Sequence, residues 1–235
     1  PIISEYLDDE TIVHLPDHLF IFFPPEPSPK TNKTPATTGE YFTFGCFNNF
    51  AKLNPHVFDT WASILQAVPR SRLYLKSIRE PCKNTLNQIL ITFENLGIEP
   101  HRIHFMKFSP NIREYLESYH QLDIGLDPFP FCGHITSLES LWMGVPLITL
   151  EGYTAFGRAT GSFLKTLKLD YFIAKNKEEY IKKAIFYANH IDELNDIRFS
   201  LRKKLSHSSL CNPKRYMRNL ETIYRQLWQN WCQNH

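Results

Sequence analysis

A chain of 235 residues, 43% hydrophobic and 21% charged, is long enough to bury a core without disulfide or metal staples, and its composition excludes disorder, a coiled coil and a disulfide scaffold. Its 26 Lys and Arg against 24 Asp and Glu leave a formal charge of +2, too little to attract a nucleic acid or a membrane surface, so an anionic ligand has to be held by local geometry. Five cysteines with no CxxC pair argue against a zinc motif, no apolar run reaches the roughly 20 residues of a membrane span, and no signal pattern opens the chain; a reducing, cytoplasmic setting is expected.

The first 23 residues carry a helical or turn stretch, SEYLDDETIVHLP, and an apolar run, LFIFF, that predicts a strand over 19–23. The chain opens on Pro1 rather than Met, which suggests a processed product or a piece of something larger. Residues 24–39, PPEPSPKTNKTPATTG, hold five of the sixteen prolines and no large apolar side chain, which predicts an extended linker and a boundary. Beyond it strands alternate with helices. Strands are predicted over 41–47 (YFTFGCF), 72–76 (RLYLK), 103–106, 123–126 (DIGL) and 146–150 (PLITL), with helices over 55–68, 81–96, 111–119 and 137–143 between them. Gly97 is expected to close the second helix. Further helices are expected near 161–166 and 177–190, and a long one over 213–231 opens with Pro213 near its first turn. The alternation predicts an α/β fold, a Rossmann-like doubly wound parallel sheet with a long C-terminal helix. The chain divides accordingly into 1–39, 40–205 and 206–235.

In such sheets ligands bind beyond the carboxyl ends of the strands, which directs attention to three loops. In CFNNFAKLNP, Asn48, Asn49 and Lys52 follow a strand end; their amides and ammonium either satisfy phosphate oxygens or simply form a turn and a solvated helix start. In DPFPFCGHITSLESLWMGVP a strand ends at Asp127 and a helix starts near Thr136. Backbone N–H groups at a helix start favour an anion such as a diphosphate. Gly133 allows close backbone approach, Thr136 and Ser137 offer hydroxyls, and His134 stands beside them as ligand contact or structural donor. Glu139 either completes a capping box with Thr136 or accepts from a ligand hydroxyl. In FSPNIREYLESY, Arg113 and Tyr115 lie at a helix start, where the ring either stacks on a base or packs. The ten scattered histidines offer no complete metal-ligand set. No G-x-S-x-G, Walker lysine motif or G-x-G-x-x-G is present. Tyr224, Trp228 and Trp231 on the last helix are expected in a core or an interface.

The runs FGCFNNFAKLNP, TWASILQAVPRSRLYLK, LDIGLDPFPFCGHITSLESLWMGVPLITL and GRATGSFL resemble the carboxy-terminal half of the O-GlcNAc transferase family, which includes the plant SPINDLY proteins; the likeness extends from about residue 10 to 228. The resemblance implies the donor-binding half of a two-domain GT-B glycosyltransferase, an inverting enzyme that moves N-acetylglucosamine from UDP-GlcNAc to Ser or Thr of proteins with neither metal nor cofactor. It implies a phosphate contact at Asn49, stabilisation of the departing diphosphate by Lys52, and Gly133, His134, Ile135 and Thr136 around diphosphate and sugar. Glu139 falls at the position that holds the ribose, and Tyr115 near the uracil. Lys52 and His134 are the catalytic candidates. Ile135 replaces a hydroxyl, leaving only its backbone N–H, and Ile112 and Ser118 stand where the animal enzymes carry basic residues. Residues 1–39 correspond to the tail of the preceding catalytic half and its linker. The tetratricopeptide repeats and the acceptor-side half have no counterpart, so weak donor binding and little transfer are expected of the chain alone. The alternatives are a truncated relative that serves as an interaction module, and a transferase for another sugar and acceptor.

Overall fold

In the computed structural model, which describes residues 12–77 and 79–234, six strands form one parallel sheet. These are β1 (Phe42–Phe47), β2 (Ser71–Lys76), β3 (Ile103–Phe105), β4 (Ile124–Leu126), β5 (Leu147–Leu150) and β6 (Ile173–Ala174). Their spatial order is β3-β2-β1-β4-β5-β6. Every residue of β1 and β4 is buried, as expected where helices cover both faces of a parallel sheet and strands read as unbroken apolar runs. β1 pairs with β2 from Phe42 opposite Ser71 to Phe47 opposite Lys76, and with β4 at Phe44 opposite Ile124 and Gly45 opposite Gly125. Chain direction along the sheet reverses between β1 and β4. A crevice opens at such a switch point because the crossovers on either side leave in opposite directions.

The helices are α1 (Pro55–Ala67), α2 (Lys83–Asn95), α3 (Ile112–Glu117), α4 (Ile135–Trp142), α5 (Ala155–Thr166), α6 (Lys177–Ala188), α7 (Ile191–Ser206) and α8 (Pro213–Asn234). Asparagine caps recur at their starts: Asn54, Asn111 and Asn176 each accept from a backbone N–H three residues on, satisfying donors that the helix leaves unpaired. Gly97 takes a φ of 77° just past α2, the left-handed conformation that ends a helix at low cost in glycine. The main core gathers Trp61, Phe44, Phe93, Phe163, Phe172 and Tyr180 with aliphatic neighbours. A smaller cluster of Phe47, Leu116, Tyr119, Leu122, Met143 and Val145 lies beside it.

The expectations at 19–23 and 161–166 need correction. Residues 19–23 form no strand: Phe22 is buried and its N–H donates to Leu210 O at 2.7 Å, while Leu19 and Phe23 remain exposed, so the apolar run packs by side chains and not through a ladder. Of the helical or turn stretch at 4–16, residues 4–11 lie outside the described residues, and 12–16 are not helical. The helix expected at 161–166 begins at Ala155, where Thr154 Oγ1 accepts from Gly157 N–H at 3.0 Å; its two internal glycines mask the helical pattern. Strand β6 and helix α7 are additions. A two-residue strand shows no alternation, and the buried stripe of α7, Leu194, Arg198, Leu201 and Leu205, is interrupted by a charge.

That arginine explains why the proline-rich stretch is packed rather than free. Arg198, fully buried, donates from Nε to Asn32 O at 2.8 Å, from Nη1 to Leu122 O at 2.8 Å and from Nη2 to Asn32 Oδ1 at 2.6 Å. Asp123 accepts from Ala36 N–H at 2.8 Å and from Thr43 N–H at 2.6 Å. Burial pushes the Asp123 carboxyl up to about 6, against the pull of these two N–H groups and of Arg198. Residues 32–36 are thus tied to the start of β1 and to α7. Tyr224, Trp228 and Trp231 are exposed on α8, with the two indoles stacked at 5.5 Å. No helix among the described residues is long and apolar enough to cross a membrane.

Replacing Arg198 with Ala takes the donor from three acceptors, the buried Leu122 carbonyl and two oxygens of half-buried Asn32, and is expected to cost about 3 kcal/mol. Urea unfolding followed by far-UV circular dichroism measures this; an unchanged midpoint would contradict the packing of 32–36.

Candidate functional site

The crevice at the switch point is built from the loops that follow β1 and β4. β4 is followed directly by Asp127, whose carboxylate is fully buried. Its Oδ1 accepts from Gly133 N–H at 2.7 Å and its Oδ2 from Thr149 Oγ1 at 2.7 Å. Burial raises this carboxyl, and the bonds from Thr149 and Gly133 together with the charge of Lys52 oppose the rise. The carboxylate closes residues 127–133 into a turn that delivers the chain to α4. A Cβ at Gly133 would lie 2.1 Å from Ser137 Oγ and 2.9 Å from Asp127 Oδ1, so only glycine fits. Thr160 of α5 completes the clamp, donating to Gly133 O at 2.9 Å and sharing a bond with Ser137 at 3.0 Å.

Lys52 crosses from the β1 loop. Its ammonium donates to Asn48 Oδ1 at 3.0 Å and to Cys132 O at 2.8 Å, and lies 4.6 Å from the Phe131 ring centroid. Burial lowers its pKa while the charge of Asp127 supports it. Of its three N–H donors, one remains for a ligand. Asn48 Oδ1 also accepts from Thr136 Oγ1 at 3.2 Å, which joins the two loops at their polar tips. Asn49 turns away: its Oδ1 accepts from Ala51 N–H at 3.0 Å, capping the 3-10 turn Phe50–Lys52 on the exposed surface. Of the two amides, then, Asn48 faces the crevice.

α4 starts at Ile135 with His134 before it and no side chain capping its N–H groups. The capping box between Thr136 and Glu139 does not form, because the helix begins one residue earlier and Glu139 Oε2 instead accepts from Tyr115 OH at 2.9 Å. Tyr115 OH also meets Tyr119 OH at 3.1 Å, and Tyr119 donates to Thr136 O at 3.1 Å. Burial pushes the Glu139 carboxyl up to about 7 and, with Glu139 beside it, raises the Tyr115 phenol well above its ordinary value. His134 lies among Phe20, Phe131 and Phe156 with centroids 5.2 to 5.8 Å away. Its Nε2 is 3.3 Å from Phe156 O. Burial, reinforced by Lys52, holds this imidazole below its ordinary pKa, so it is neutral at pH 7. Ile135 is exposed at the mouth.

A cleft of about 370 Å³ continues from here, lined among others by Lys76, Ser109, Tyr115, Ile135, Thr136 and Glu139. Ile112 also faces it, whereas Ser118 is buried and bonded to Glu114 O at 2.9 Å. Arg113 pairs outside with Glu117 at 3.0 Å. Of the residues singled out from sequence, Ile135, Thr136, Glu139 and Tyr115 line this cleft, Lys52 is linked to it through Asn48 and Thr136, and Gly133 and His134 lead into the start of α4. Sequence reading missed Asp127 as an anchor, as well as Tyr119 and Lys76. A carboxylate ending an apolar strand six residues before a glycine was the available signal for Asp127. Among the described residues no group of three or more His, Cys, Asp or Glu is placed to hold a metal ion.

A family model described as Glycosyl transferase family 41 matches residues 35–220. The chain is 37% identical over 223 residues to a probable UDP-N-acetylglucosamine–peptide N-acetylglucosaminyltransferase SPINDLY of Solanum lycopersicum, covering 95% of this chain and 24% of that protein. It is 29% identical over 243 residues to the SEC protein of Arabidopsis thaliana, which bears the same enzyme description, covering 99% and 24%. The chain spans about a quarter of the length of these curated relatives. Among solved structures, a Thermobaculum terrenum O-GlcNAc transferase mutant superposes with a TM-score of 0.77 at 32% identity, over 90% of this chain and 40% of that one. Staphylococcus aureus TarM, at 10% identity and a TM-score of 0.61, covers 93% of this chain and 41% of its own, and shares the fold alone.

The clamp around Gly133 makes a direct prediction. Gly133→Ala forces Ser137 or the Asp127 turn to shift and is expected to cost about 2 kcal/mol. Chemical denaturation measures it, and a variant as stable as the parent would contradict the close approach.

Proposed function

The chain belongs to glycosyl transferase family 41, and on that basis we propose that it is the nucleotide-sugar-binding half of a protein O-GlcNAc transferase-like enzyme. In this reading the donor is UDP-GlcNAc, the acceptors are Ser or Thr hydroxyls of proteins, and transfer inverts the anomeric centre. The observation that carries the reading is Lys52, an ammonium fixed by Asn48 and the Cys132 carbonyl beside the uncapped N-terminus of α4.

As the bond between anomeric carbon and diphosphate breaks, negative charge grows on the leaving oxygen. A cation already locked in place stabilises that charge without reorganising, and does so more strongly in a partly desolvated crevice than in water. The backbone N–H groups of α4 add the positive end of a helix dipole. Glu139 accepts from ribose hydroxyls through charge-assisted bonds, with Tyr115 holding its orientation. Thr136 and the Ile135 N–H bracket the phosphates. His134, neutral and set in an aromatic box, shapes the sugar side. The acceptor hydroxyl attacks the face opposite the diphosphate and gives its proton to a base on the acceptor side, which the residues described above do not supply, while Lys52, α4 and Glu139 serve the donor and the leaving group. Protein donors alone meet the diphosphate charge in this reading, with no cofactor.

Lys52→Ala is expected to weaken UDP binding about tenfold or more, the worth of one charge-assisted contact, while the fold is retained by circular dichroism. Calorimetric titration tests this; full affinity in the folded variant would remove Lys52 from the site. The pH dependence follows from Glu139. Its carboxyl, up at about 7, is mostly protonated at pH 6 and mostly ionised at pH 8, and the ionised form accepts both ribose hydroxyls. Affinity for UDP-GlcNAc, whose phosphates do not titrate in this range, should therefore rise up to about tenfold from pH 6 to 8. Glu139→Gln should flatten the profile, and a profile that persists in this variant would assign it to another group.

A further inference from the structure

The far end of the 370 Å³ cleft holds a charge for which the reaction as described has no use. Lys76, the last residue of β2, is 2% exposed. Its ammonium donates to Lys107 O at 2.6 Å and to Ser109 Oγ at 2.8 Å. It forms none of the ion pairs found among the described residues. Burial pulls its pKa down, and Glu114 is the charge that opposes this. A buried cation is normally matched by an anion, because neutral acceptors repay only part of its lost hydration. Here two neutral oxygens engage it, and an ammonium has a third donor. Lys76 lines the same cleft as Glu139 and Tyr115.

We infer that Lys76 determines which nucleobase the donor carries, by donating to an exocyclic oxygen on the edge of a base seated between the 108–112 loop and Ile135. The inference rests on the donor-site reading above and adds a base class to it. With the diphosphate at Lys52 and the ribose at Glu139, the base is the remaining part of a nucleoside diphosphate and the cleft beside Lys76 is the remaining space. An oxygen at position 4 of a pyrimidine or position 6 of a purine accepts from the ammonium. An amino group at the same position presents hydrogens to it and leaves the cation unpaired. Uracil and guanine are therefore accepted, and cytosine and adenine are rejected. Lys76 also pins residues 107–109, so a purely structural role is the competing explanation, and base discrimination separates the two.

The experiment is calorimetric titration of the chain with UDP, GDP, CDP and ADP, repeated with Lys76→Met after circular dichroism confirms its fold. The oxo bases are expected to bind about tenfold more tightly than the amino bases, as one hydrogen bond to a charged donor allows, and Lys76→Met is expected to erase that ratio while retaining binding through Lys52. Equal affinity of the parent for all four diphosphates would overturn the inference, whether or not the variant folds. A folded Lys76→Met that keeps the ratio, or loses affinity equally for all four, would assign Lys76 to loop support and overturn it as well. Absence of binding by every diphosphate would instead bring down the donor-site reading, and this inference with it.

Discussion

The buried carboxylate of Asp127 is the constraint on which the crevice depends. It directly follows a strand that is wholly apolar, and its two oxygens hold Gly133 N–H on one side and Thr149 on the other. Tyr180 donates to the carbonyl of the same residue at 3.0 Å. Without these bonds residues 128–133 would have no fixed path, α4 would lose its entry point, and Cys132 O would not face Lys52. The desolvation cost of the carboxylate is met by hydrogen bonds and by the charge of a lysine, the same lysine to which the proposed function gives the diphosphate. One buried anion thereby positions one half-buried cation. The buried carboxylate costs stability that an apolar residue would not, and what it supplies, through the turn that presents Cys132 O to Lys52, is an ammonium oriented in advance.

The same logic recurs in the polar layer around that pair. Asn48 links Lys52 to Thr136, Tyr119 links Thr136 to Tyr115, and Tyr115 links to Glu139. The chain of bonds runs across the carboxyl ends of β1 and β4, where side chains from α3 and α4 close over the switch point. It rests on rigid elements, since Phe47 and Tyr119 pack at 4.5 Å in the smaller core. Tyr115 and Glu139 thus sit on helices backed by the smaller core, while Lys52 is held on its loop by Asn48 and Cys132 O. Arg198 and Asp123 act in the same way at the opposite end, fastening residues 32–36 to the sheet.

Much of this was legible in the sequence, for physical reasons. FTFGCF and LIT are buried on both faces and read as strands without ambiguity, and the loops after β1 and β4 were identifiable because polar residues crowd there between apolar elements. Local pattern placed Lys52, Gly133 and Thr136 at a candidate anion site, and the likeness to O-GlcNAc transferases ordered them along a donor. What stayed hidden depends on distant partners. Nothing local distinguishes Asn48 from Asn49; only the turn geometry sends one inward and spends the other on a cap. Glu139 satisfied the spacing of a capping box, yet Tyr115, on another helix, takes its carboxylate. α7 escaped notice because its buried stripe includes Arg198, whose partners lie more than 70 residues away. Lys76 was legible only as the end of the RLYLK strand, and its burial depends on a loop 31 residues downstream.

The central claim is that the β1/β4 switch point is the donor site. Amide hydrogen exchange of the chain with and without saturating UDP-GlcNAc, in buffer containing chelator, tests it most directly. The account predicts slowed exchange confined to residues 48–52, 108–115 and 133–139, with α8 and the 182–193 region unchanged. Protection at another face of the sheet, or none in these three segments at ligand saturation, would contradict it.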